Sequence, residues 1–160
     1  MRSEDQLVAD LLYGRANTMA GSGLDDQSLI QIAGEEFSGR AYAVVRDWMI
    51  LDVILPSEEL NELTAAGQQP MILLAPRVVH DSDMASPRAD LLITGFCQDF
   101  FGCFFEVDSK VYVLAGRGAR KYAAMPSITA LKRVQISVHA EQSAELCFIT
   151  ARDIYPQEQQ

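Results

Sequence analysis

The chain has 160 residues, which is the usual size of one domain. Hydrophobic residues make up 49% of it and charged residues 22%, so intrinsic disorder and collagen-like or coiled-coil structure are excluded. The formal net charge is −9 at pH 7, which argues against a protein held on nucleic acid by phosphate contacts, because such proteins are normally basic.

The N-terminal segment has none of the features of a targeting sequence. It reads MRSEDQLVADLLYG, without a continuous apolar region or a small-residue cleavage site. No apolar run approaches the roughly 18–20 residues that span a bilayer, so we expect a cytoplasmic protein with no membrane partner. Cys97, Cys103 and Cys147 lie in apolar contexts and are predicted to be reduced, mostly buried thiols.

Two short helices are predicted at the start of the chain. Ser3 followed by Gln6 is a capping-box pattern, and apolar residues at helical spacing predict the first helix over 4–13. The segment NTMAGSG, residues 17–23, is predicted to be a flexible turn. Such short helices are not stable alone, so they must pack on the rest of the chain or on a partner.

The second helix is predicted over 25–33. Asp25 or Asp26 is its expected cap, and Gly34 is expected to end it because glycine readily takes positive φ. We predict one domain over 1–160, in which a helical layer (1–40) precedes an α+β core (41–155).

The segment AYAVVRDWMILDVIL, residues 41–55, is rich in Val, Ile, Trp and Tyr, which favours a strand, although the helical template also fits it. In a single strand, Trp48, Ile50, Asp52 and Ile54 would share one face.

A helix is predicted over 57–66, directly after the proline that stops this strand. Ser57 is the expected cap, and Glu58 and Glu59 occupy the first turn, where the helix dipole favours anions. Gly67 is expected to terminate the helix.

After this helix the pattern changes to short strands joined by turns of a few residues, which implies an antiparallel β meander. The meander either closes into a small barrel or packs under the helix of residues 57–66, so the predicted fold class is α+β. A further hairpin is predicted over 134–150. The predicted strands of the meander cover residues 71–79, 91–97, 103–107 and 110–115.

Four strings in the middle of the chain carry a family resemblance: WMILDVILP, a helix ending in AAGQQP, RVVHDSD and GCFFEVDSKVYVLAGRGARK. Over residues 48–120 they resemble a bacterial family described only as a domain of unknown function, with residues 1–47 and 121–160 outside the match. The resemblance implies a bacterial cytosolic protein of the kind that prophages and mobile elements often carry. It transfers no catalytic residue, and the loop SDMASPRAD departs from the Gly-Arg and Gly-Asp that the family has after His80.

The string GRGARK, residues 116–121, is the most site-like. Glycine-rich backbone beside Arg117, Arg120 and Lys121 suits a phosphate or a carboxylate. The string lacks the P-loop pattern, however, and a turn at the end of a strand with solvated cations would have the same sequence.

The chain has two histidines, His80 and His139, that are candidates for a chemical role. His80, Asp81 and Asp83 could bind a divalent ion or supply a base, but acid clusters in loops are usually only solvated. His139 is interpreted as a surface residue, and no serine has the context of a nucleophile elbow. We therefore predict no catalytic residue, no metal site and no cofactor.

The densest aromatic group surrounds Phe100 and Phe101, which are predicted to lie in a turn over 98–102. If the turn folds onto the N-terminal helices, the two rings belong to the core. Otherwise they form an apolar patch of the kind that marks a partner surface.

The charges are unevenly distributed along the chain. Residues 1–80 carry 12 acids and 5 bases, whereas residues 109–140 carry six bases and no acid. Such a dipolar molecule would be steered towards a complementary partner, provided that the segregation survives folding. The acidic residues predicted to face a basic protein partner are Asp25, Asp26, Glu35, Glu36, Glu58, Glu59 and Glu62.

The leading hypothesis is a small acidic cytosolic binding protein, not an enzyme, that acts by occluding a macromolecular partner. The family resemblance makes a mobile-element inhibitor of a bacterial defence system its specific form. An immunity protein against a basic toxin needs the same acidic surface. A hypothesis from another class is an anion-binding module or small enzyme that uses the 116–121 loop.

Overall fold

The computed structural model describes residues 2–84 and 90–135, which form four helices and two five-stranded mixed sheets packed face to face. The predicted α+β class is therefore confirmed. The helices are α1 (Glu4–Tyr13), α2 (Asp26–Glu36), α3 (Ser57–Ala65) and α4 (125–135). The strands are β1 (Asn17–Ala20), β2 (Ala41–Arg46), β3 (Met49–Ile54), β4 (Met71–Ala75), β5 (Arg77–Asp81), β6 (Leu92–Ile93), β7 (Asp99–Phe101), β8 (Phe104–Val107), β9 (Lys110–Leu114) and β10 (Arg117–Ala124).

Each sheet combines antiparallel neighbours with one parallel pair. Sheet one has the order β1-β10-β3-β4-β6, in which β10 and β3 are parallel. Sheet two has the order β5-β2-β9-β8-β7, in which β2 and β9 are parallel. The predicted antiparallel pairing is thus correct for β4 with β6 and for β8 with β9. It is wrong for β6 with β8, because these strands lie in different sheets. The strands described form two open sheets and no closed barrel.

The predicted strand over 41–55 is in fact two strands in different sheets. Asp47 adopts a φ of 56°, which breaks the extended chain between β2 and β3. The break turns Trp48 into the space between the sheets, where its indole Nε1 donates a hydrogen bond to the Ala115 carbonyl at 3.1 Å. The inward-facing residues shift phase at the break, from Ala43 and Val45 to Trp48 and Ile50. Both segments are rich in β-branched and aromatic residues, so composition alone favours one long strand.

The predicted strand over 71–79 divides in the same way at Pro76, into β4 in sheet one and β5 in sheet two. Proline has no backbone N–H and so cannot donate to a sheet ladder, which favours a change of direction at this residue. At these two breaks the chain crosses between the sheets in opposite directions, from sheet two to sheet one at Asp47 and back to sheet two at Pro76.

The two sheets pack on each other through one apolar cluster and are covered by helices outside. Residues of both sheets, among them Ile50 and Leu73 of sheet one and Phe105 and Leu114 of sheet two, form the central layer. Alternate residues of β3 and β4 point to the opposite face of sheet one, where Leu11 of α1 and Ile128 and Leu131 of α4 cover them.

The outer face of sheet two is covered by α2. Leu29 and Ala33 of this helix pack against Val44 of β2 and Val113 of β9. The layers therefore follow the order helices, sheet one, sheet two, helix. α3 belongs to none of these layers, since it has no buried residue and connects the adjacent strands β3 and β4.

Two predicted helix boundaries need correction. Gly34 lies inside α2, which continues to Glu36, and a Cβ atom at Gly34 would lie 3.2 Å from the Tyr42 hydroxyl. Glycine is thus explained by the close approach of that tyrosine rather than by a helix end. The N-cap of α3 is Pro56, not Ser57, and no side chain caps the helix by a hydrogen bond.

Other predicted turns and strands also differ from the structure. The 17–23 turn contains β1, because Asn17–Ala20 pairs with β10. Only Leu92–Ile93 of the predicted 91–97 strand is extended in a sheet ladder. Of the 134–150 hairpin, residues 134 and 135 belong to α4, and the remainder lies outside the described residues.

Candidate functional site

α3 is an exposed acidic helix. Its glutamates Glu58, Glu59 and Glu62 are exposed, and within the described part of the chain none of them forms an ion pair. The helix also carries no basic residue in its last turn, and Leu60 is 37% exposed. α3 therefore presents three uncompensated negative charges and one partly exposed apolar side chain.

The remaining predicted acidic residues lie on α2, and two of them have local roles. Asp25 caps α2 by accepting a hydrogen bond from the Ser28 backbone N–H at 2.8 Å, and this bond lowers the pKa of Asp25. Asp26 pairs with Arg46 at 2.6 Å. Because α2 lies on sheet two and α3 connects strands of sheet one, the predicted acidic face is divided between two separate elements.

Glu35 and Glu36, at the end of α2, form no ion pair within the described residues. Glu35 accepts a hydrogen bond from the Gln31 side chain at 3.4 Å, and both residues lie at the helix C-terminus, where the dipole does not favour acids.

The predicted anion-binding string 116–121 is not a loop. Gly116 forms a turn with a φ of 66°, and Arg117 begins the long strand β10. Arg120 forms a bidentate ion pair with Asp52 of β3, in which Nε and Nη2 each donate to one carboxylate oxygen at 2.7 Å. These hydrogen bonds raise the pKa of Arg120 against the opposing effect of burial, and its charge is compensated by the Asp52 carboxylate.

Lys121 points to the opposite face of the strand. Its Nζ donates hydrogen bonds to the carbonyls of Asp10 and Leu11, at 2.7 and 2.9 Å, and so satisfies the C-terminal end of α1. Burial lowers the pKa of Lys121, opposed by the charge of Asp10. Arg117 is exposed, and it is the residue of this string that is not engaged within the described part of the chain.

An open cleft of about 250 Å³ lies where β1 leaves β10. Arg15, Asn17, Lys121 and Tyr122 contribute to its lining. Arg120 of this cleft is bound to Asp52, and Lys121 is bound to the α1 carbonyls. Arg15 is therefore the cation of the cleft that is most available to a ligand.

The two phenylalanines predicted to lie in a turn are part of the edge strand β7 and face opposite ways. Phe100 packs towards the core, with its ring centroid 5.7 Å from that of Phe105 and 5.9 Å from the Arg120 guanidinium carbon. Phe101 is 77% exposed on the outer face of sheet two. The prediction left core and partner surface open for both rings, and the structure divides them.

The His80-Asp81-x-Asp83 group is organised around a lysine. Lys110 contacts both carboxylate oxygens of Asp81 at 2.8 Å and reaches Asp83 at 3.3 Å. Burial acts to lower the pKa of Lys110, but its hydrogen bonds to Asp81 and Asp83 and the charge of Asp81 outweigh burial and raise it. His80 instead stacks on Tyr42.

In residues 2–84 and 90–135, no group of three or more His, Cys, Asp or Glu side chains is arranged to hold a metal ion. Within the same residues, no helix has the length and apolar character that a membrane span requires. His139 lies outside the described residues.

Cys97 and Cys103 are free thiols, as predicted, and Cys147 lies outside the described residues. Cys97 is fully buried, and burial raises its thiol pKa to about 11. Burial also raises the pKa of Cys103. At neutral pH both thiols are protonated and therefore weak nucleophiles.

One surface was missed by the sequence analysis. At the end of β3 and β10, the face of sheet one that elsewhere packs on sheet two is open to solvent. Ile54 is 60% exposed there and Tyr122 is 76% exposed. We call this surface the open ledge and define it by Asp52, Ile54, Arg120, Tyr122 and Ala124.

The register of the parallel pair makes the open ledge continuous. Tyr122 is the partner of Asp52 and Ala124 is the partner of Ile54, so their side chains stand on neighbouring strands and on the same face. The Arg120–Asp52 ion pair forms its inner border, where sheet two begins to cover sheet one.

The structural class of the protein is thus an α+β sandwich, in which two mixed sheets carry helices on both outer faces and one acidic helix lies outside the layers. The chain belongs to the family described as Domain of unknown function (DUF6957), whose model matches residues 20–130. It matches no curated protein and no solved structure.

The family match extends further than the resemblance noted over residues 48–120. It includes α2, β2 and most of α4, so the expectation that 1–47 and 121–160 lie outside the family is wrong for residues 20–47 and 121–130. Both sheets and α3 fall within the matched range, apart from the first three residues of β1.

Proposed function

We propose that the protein is a binding protein, not an enzyme, that docks on a basic macromolecular surface and occludes it. The observation that carries this proposal is the exposure of α3. The helix has nine residues, none of them buried, and its three glutamates have no ion-pair partner within the described residues. A helix this short is not stable in isolation, and it adds nothing to the core, so we infer that its value lies in an external contact.

The charge of the whole chain supports the same function. A net charge of −9 gives the molecule a negative field that increases the rate of encounter with a basic partner. The uncompensated glutamates of α3 concentrate part of this charge on one element, which would orient the encounter.

An anion-binding module or small enzyme at 116–121 is the alternative from another class. It is less well supported, because Arg120 is neutralised by Asp52 and Lys121 is bound to two carbonyls of α1. Only Arg117 of the three predicted residues is unengaged within the described chain, and one exposed guanidinium is a weak anion site.

In its specific form, we propose a bacterial cytoplasmic protein carried by a prophage or another mobile element, which inhibits a defence system by covering a surface that normally holds nucleic acid. An immunity protein against a basic toxin would use the same acidic helix. Both forms require a basic protein partner and make no direct contact with nucleic acid or membrane.

The proposal is tested by capturing partners from a bacterial extract on the immobilised full chain. Capture is compared at about 0.1 M and about 1 M salt, where the Debye length is about 10 Å and about 3 Å. We expect a basic protein that is retained at the lower salt concentration and released at the higher one. Retention of acidic proteins only, or capture unaffected by salt, would contradict the proposal.

The contribution of α3 is measured with the triple variant Glu58→Gln/Glu59→Gln/Glu62→Gln. Its matched control, Asp5→Asn/Asp99→Asn/Asp108→Asn, removes the same charge from α1, β7 and the β8–β9 turn. Capture should decline with the α3 variant and persist with the control. Equal losses would mean that overall charge, rather than α3, is responsible.

The anion-binding alternative is tested by calorimetric titration of the full chain with inorganic phosphate. Binding that is lost in Arg117→Ala, in a protein shown to be folded, would favour the alternative. We expect no measurable binding.

A further inference from the structure

We propose that the open ledge is the apolar centre of the docking surface and that its occupant is a basic protein segment that places an apolar side chain against Ile54 and Tyr122. The inference rests on the proposed function and names the contact surface that it needs. Charge complementarity alone mainly increases the association rate and orients the encounter. A stable complex needs a desolvated apolar centre within a polar rim.

The change in burial along two strands identifies the ledge. On β3, the inward-facing row passes from Ile50, which is fully buried, to Ile54, which is 60% exposed. On β10, the corresponding row passes from Gly118, which lies against the Trp48 ring, to Tyr122, which is 76% exposed. The rows are core-facing at one end and open at the other because sheet two covers only the first part.

The open part of the ledge is unusually apolar for a surface that faces solvent. A strand that leaves the core normally changes to polar residues, yet this row ends in isoleucine, tyrosine and alanine. Tyrosine supplies a large amphipathic contact area at little cost in side-chain entropy, and it is among the residues that most often dominate interfaces.

The inner border of the ledge is held in place by charge and packing. The Arg120 guanidinium is bound to both oxygens of Asp52 and lies 5.9 Å from the centre of the Phe100 ring. Its Nη2 also lies 3.4 Å from the Met71 sulfur. A partner would therefore meet a preformed surface, which reduces the entropy lost on binding.

The ledge and the acidic helix are neighbours along the chain. Ile54 is the last residue of β3, and α3 begins at Ser57, so the Cα atoms of Ile54 and Glu58 lie within about 14 Å of each other by chain length alone. Leu60 of α3 adds a further partly exposed apolar side chain. The glutamates at the start of α3 therefore lie close to the apolar end of the ledge.

The nearby glutamates favour one kind of occupant. A basic segment with one apolar anchor satisfies both the ledge and the glutamates, whereas an acidic segment would be repelled. A second copy of the chain is disfavoured, because two molecules of charge −9 would bring identical acidic helices towards one another.

The test uses fluorescence anisotropy with the full chain and three labelled helical peptides: an amphipathic leucine–lysine peptide, its serine–lysine counterpart and a leucine–glutamate peptide. We expect binding in the order leucine–lysine, then serine–lysine, with none for leucine–glutamate. The variant Ile54→Ser/Tyr122→Ser should weaken leucine–lysine binding by at least about tenfold, as loss of an interface centre does, and leave serine–lysine binding unchanged.

The matched control is Ile32→Ser/Phe101→Ser, which removes two exposed apolar side chains, at 44% and 77% exposure, from the side of sheet two. Equal weakening by the ledge variant and this control would overturn the inference. If only Glu58→Gln/Glu59→Gln/Glu62→Gln weakens binding, the acidic function stands and the ledge is wrong. If neither α3 nor ledge variants have an effect, both proposals fail.

A second measurement locates the occupant. Tyr122→p-benzoylphenylalanine is irradiated with the leucine–lysine peptide, and the cross-linked product is identified by mass spectrometry. A cross-link to the peptide supports the inference. A cross-link to another part of the same chain, or to a second copy, would show a different occupant and overturn it.

Discussion

At the scale of single residues, the contact between Gly118 and Trp48 joins β10 to the central layer. A Cβ atom at Gly118 would lie 2.3–2.5 Å from three ring atoms of Trp48. Trp48 cannot move aside easily, because it is 1% exposed and its indole donates a hydrogen bond to the Ala115 carbonyl. Glycine at this position therefore lets the strand approach the ring, and a side chain would separate them.

We predict that Gly118→Ala lowers the free energy of unfolding by about 2 kcal/mol, since inserting a methyl group into a packed core forces neighbours to shift. Urea denaturation followed by circular dichroism measures the change. Gly23→Ala is the control, because a Cβ there meets nothing within 4 Å. Equal stability of the two variants would contradict the close contact.

The buried thiol of Cys97 should make the stability of the folded chain depend on pH. Its pKa is raised from an ordinary value of 9.0 to about 11 by burial. The folded state then holds the proton more tightly than the unfolded state, so this stabilisation is complete below pH 9.0 and is lost as the pH rises towards 11.

We therefore expect the free energy of unfolding of the native chain to fall more steeply between pH 9.0 and 11 than that of Cys97→Ala. The extra loss over this range should be about 2 kcal/mol. Urea titrations of both proteins across this range measure the difference, and the tyrosines and lysines common to both cancel. Parallel stability curves would exclude a thiol that titrates as described.

At the scale of elements, the parallel pair β10–β3 depends on a side-chain contact as well as on its backbone ladder. Arg120 and Asp52 are 68 residues apart in sequence, and their ion pair joins the two strands at the border of the open ledge. Its side chains are 35% and 20% exposed, so solvent screens the pair only in part.

A double-mutant cycle of Asp52→Asn and Arg120→Met should give a coupling energy of about 1 kcal/mol, consistent with a two-pronged pair that is partly shielded from water. The matched cycle uses Asp47→Asn and Arg77→Met, whose charges are 3.5 Å apart and 62% exposed on both sides. The control coupling should be close to zero. A larger value for the control pair would mean that exposure does not determine these energies.

Local signals predicted several elements correctly, because the interactions that form them are themselves local. Ser3 and Gln6 form the capping box of α1 that the sequence indicates. Asp108 and Ser109 both take positive φ in the tight turn between β8 and β9. Such turns match the twist of a hairpin and use short polar residues.

Elements that depend on distant partners were not predictable in the same way. β10 begins within the string GRGARK, whose glycines indicate a loop. Its strand conformation comes from pairing with β1 and β3, which are far from it in sequence. The same holds for Arg120 and Lys121, since their partners Asp52 and α1 become visible only in the folded chain.

At the scale of the whole molecule, the candidate surface combines a part that sequence could predict with a part that it could not. The three glutamates of α3 lie within five consecutive residues, 58–62, and the polarity of that helix indicates exposure. The open ledge exists because sheet two ends before sheet one does, and nothing near Ile54 or Tyr122 in the sequence states where a different sheet ends.

The central layer also joins the two sheets into one structural unit. Trp48 stands where the chain crosses from sheet two to sheet one, and its cluster includes residues of both sheets. Within residues 2–84 and 90–135, the face that each sheet turns towards this cluster is covered by the other sheet. Separation of the sheets would therefore expose the most buried residues of the chain together.

We predict that the described layers unfold in a single cooperative transition. Trp48 is the one tryptophan in the sequence, so its fluorescence reports the central layer alone, while far-ultraviolet circular dichroism reports all helices and strands. In urea, the two signals should give the same midpoint and the same slope, because loss of the contact between the sheets removes the support of both. The variant Gly118→Ala should move both midpoints together to lower urea. A fluorescence change that precedes the loss of circular dichroism would show that the sheets separate first and remain folded, and would contradict a shared core.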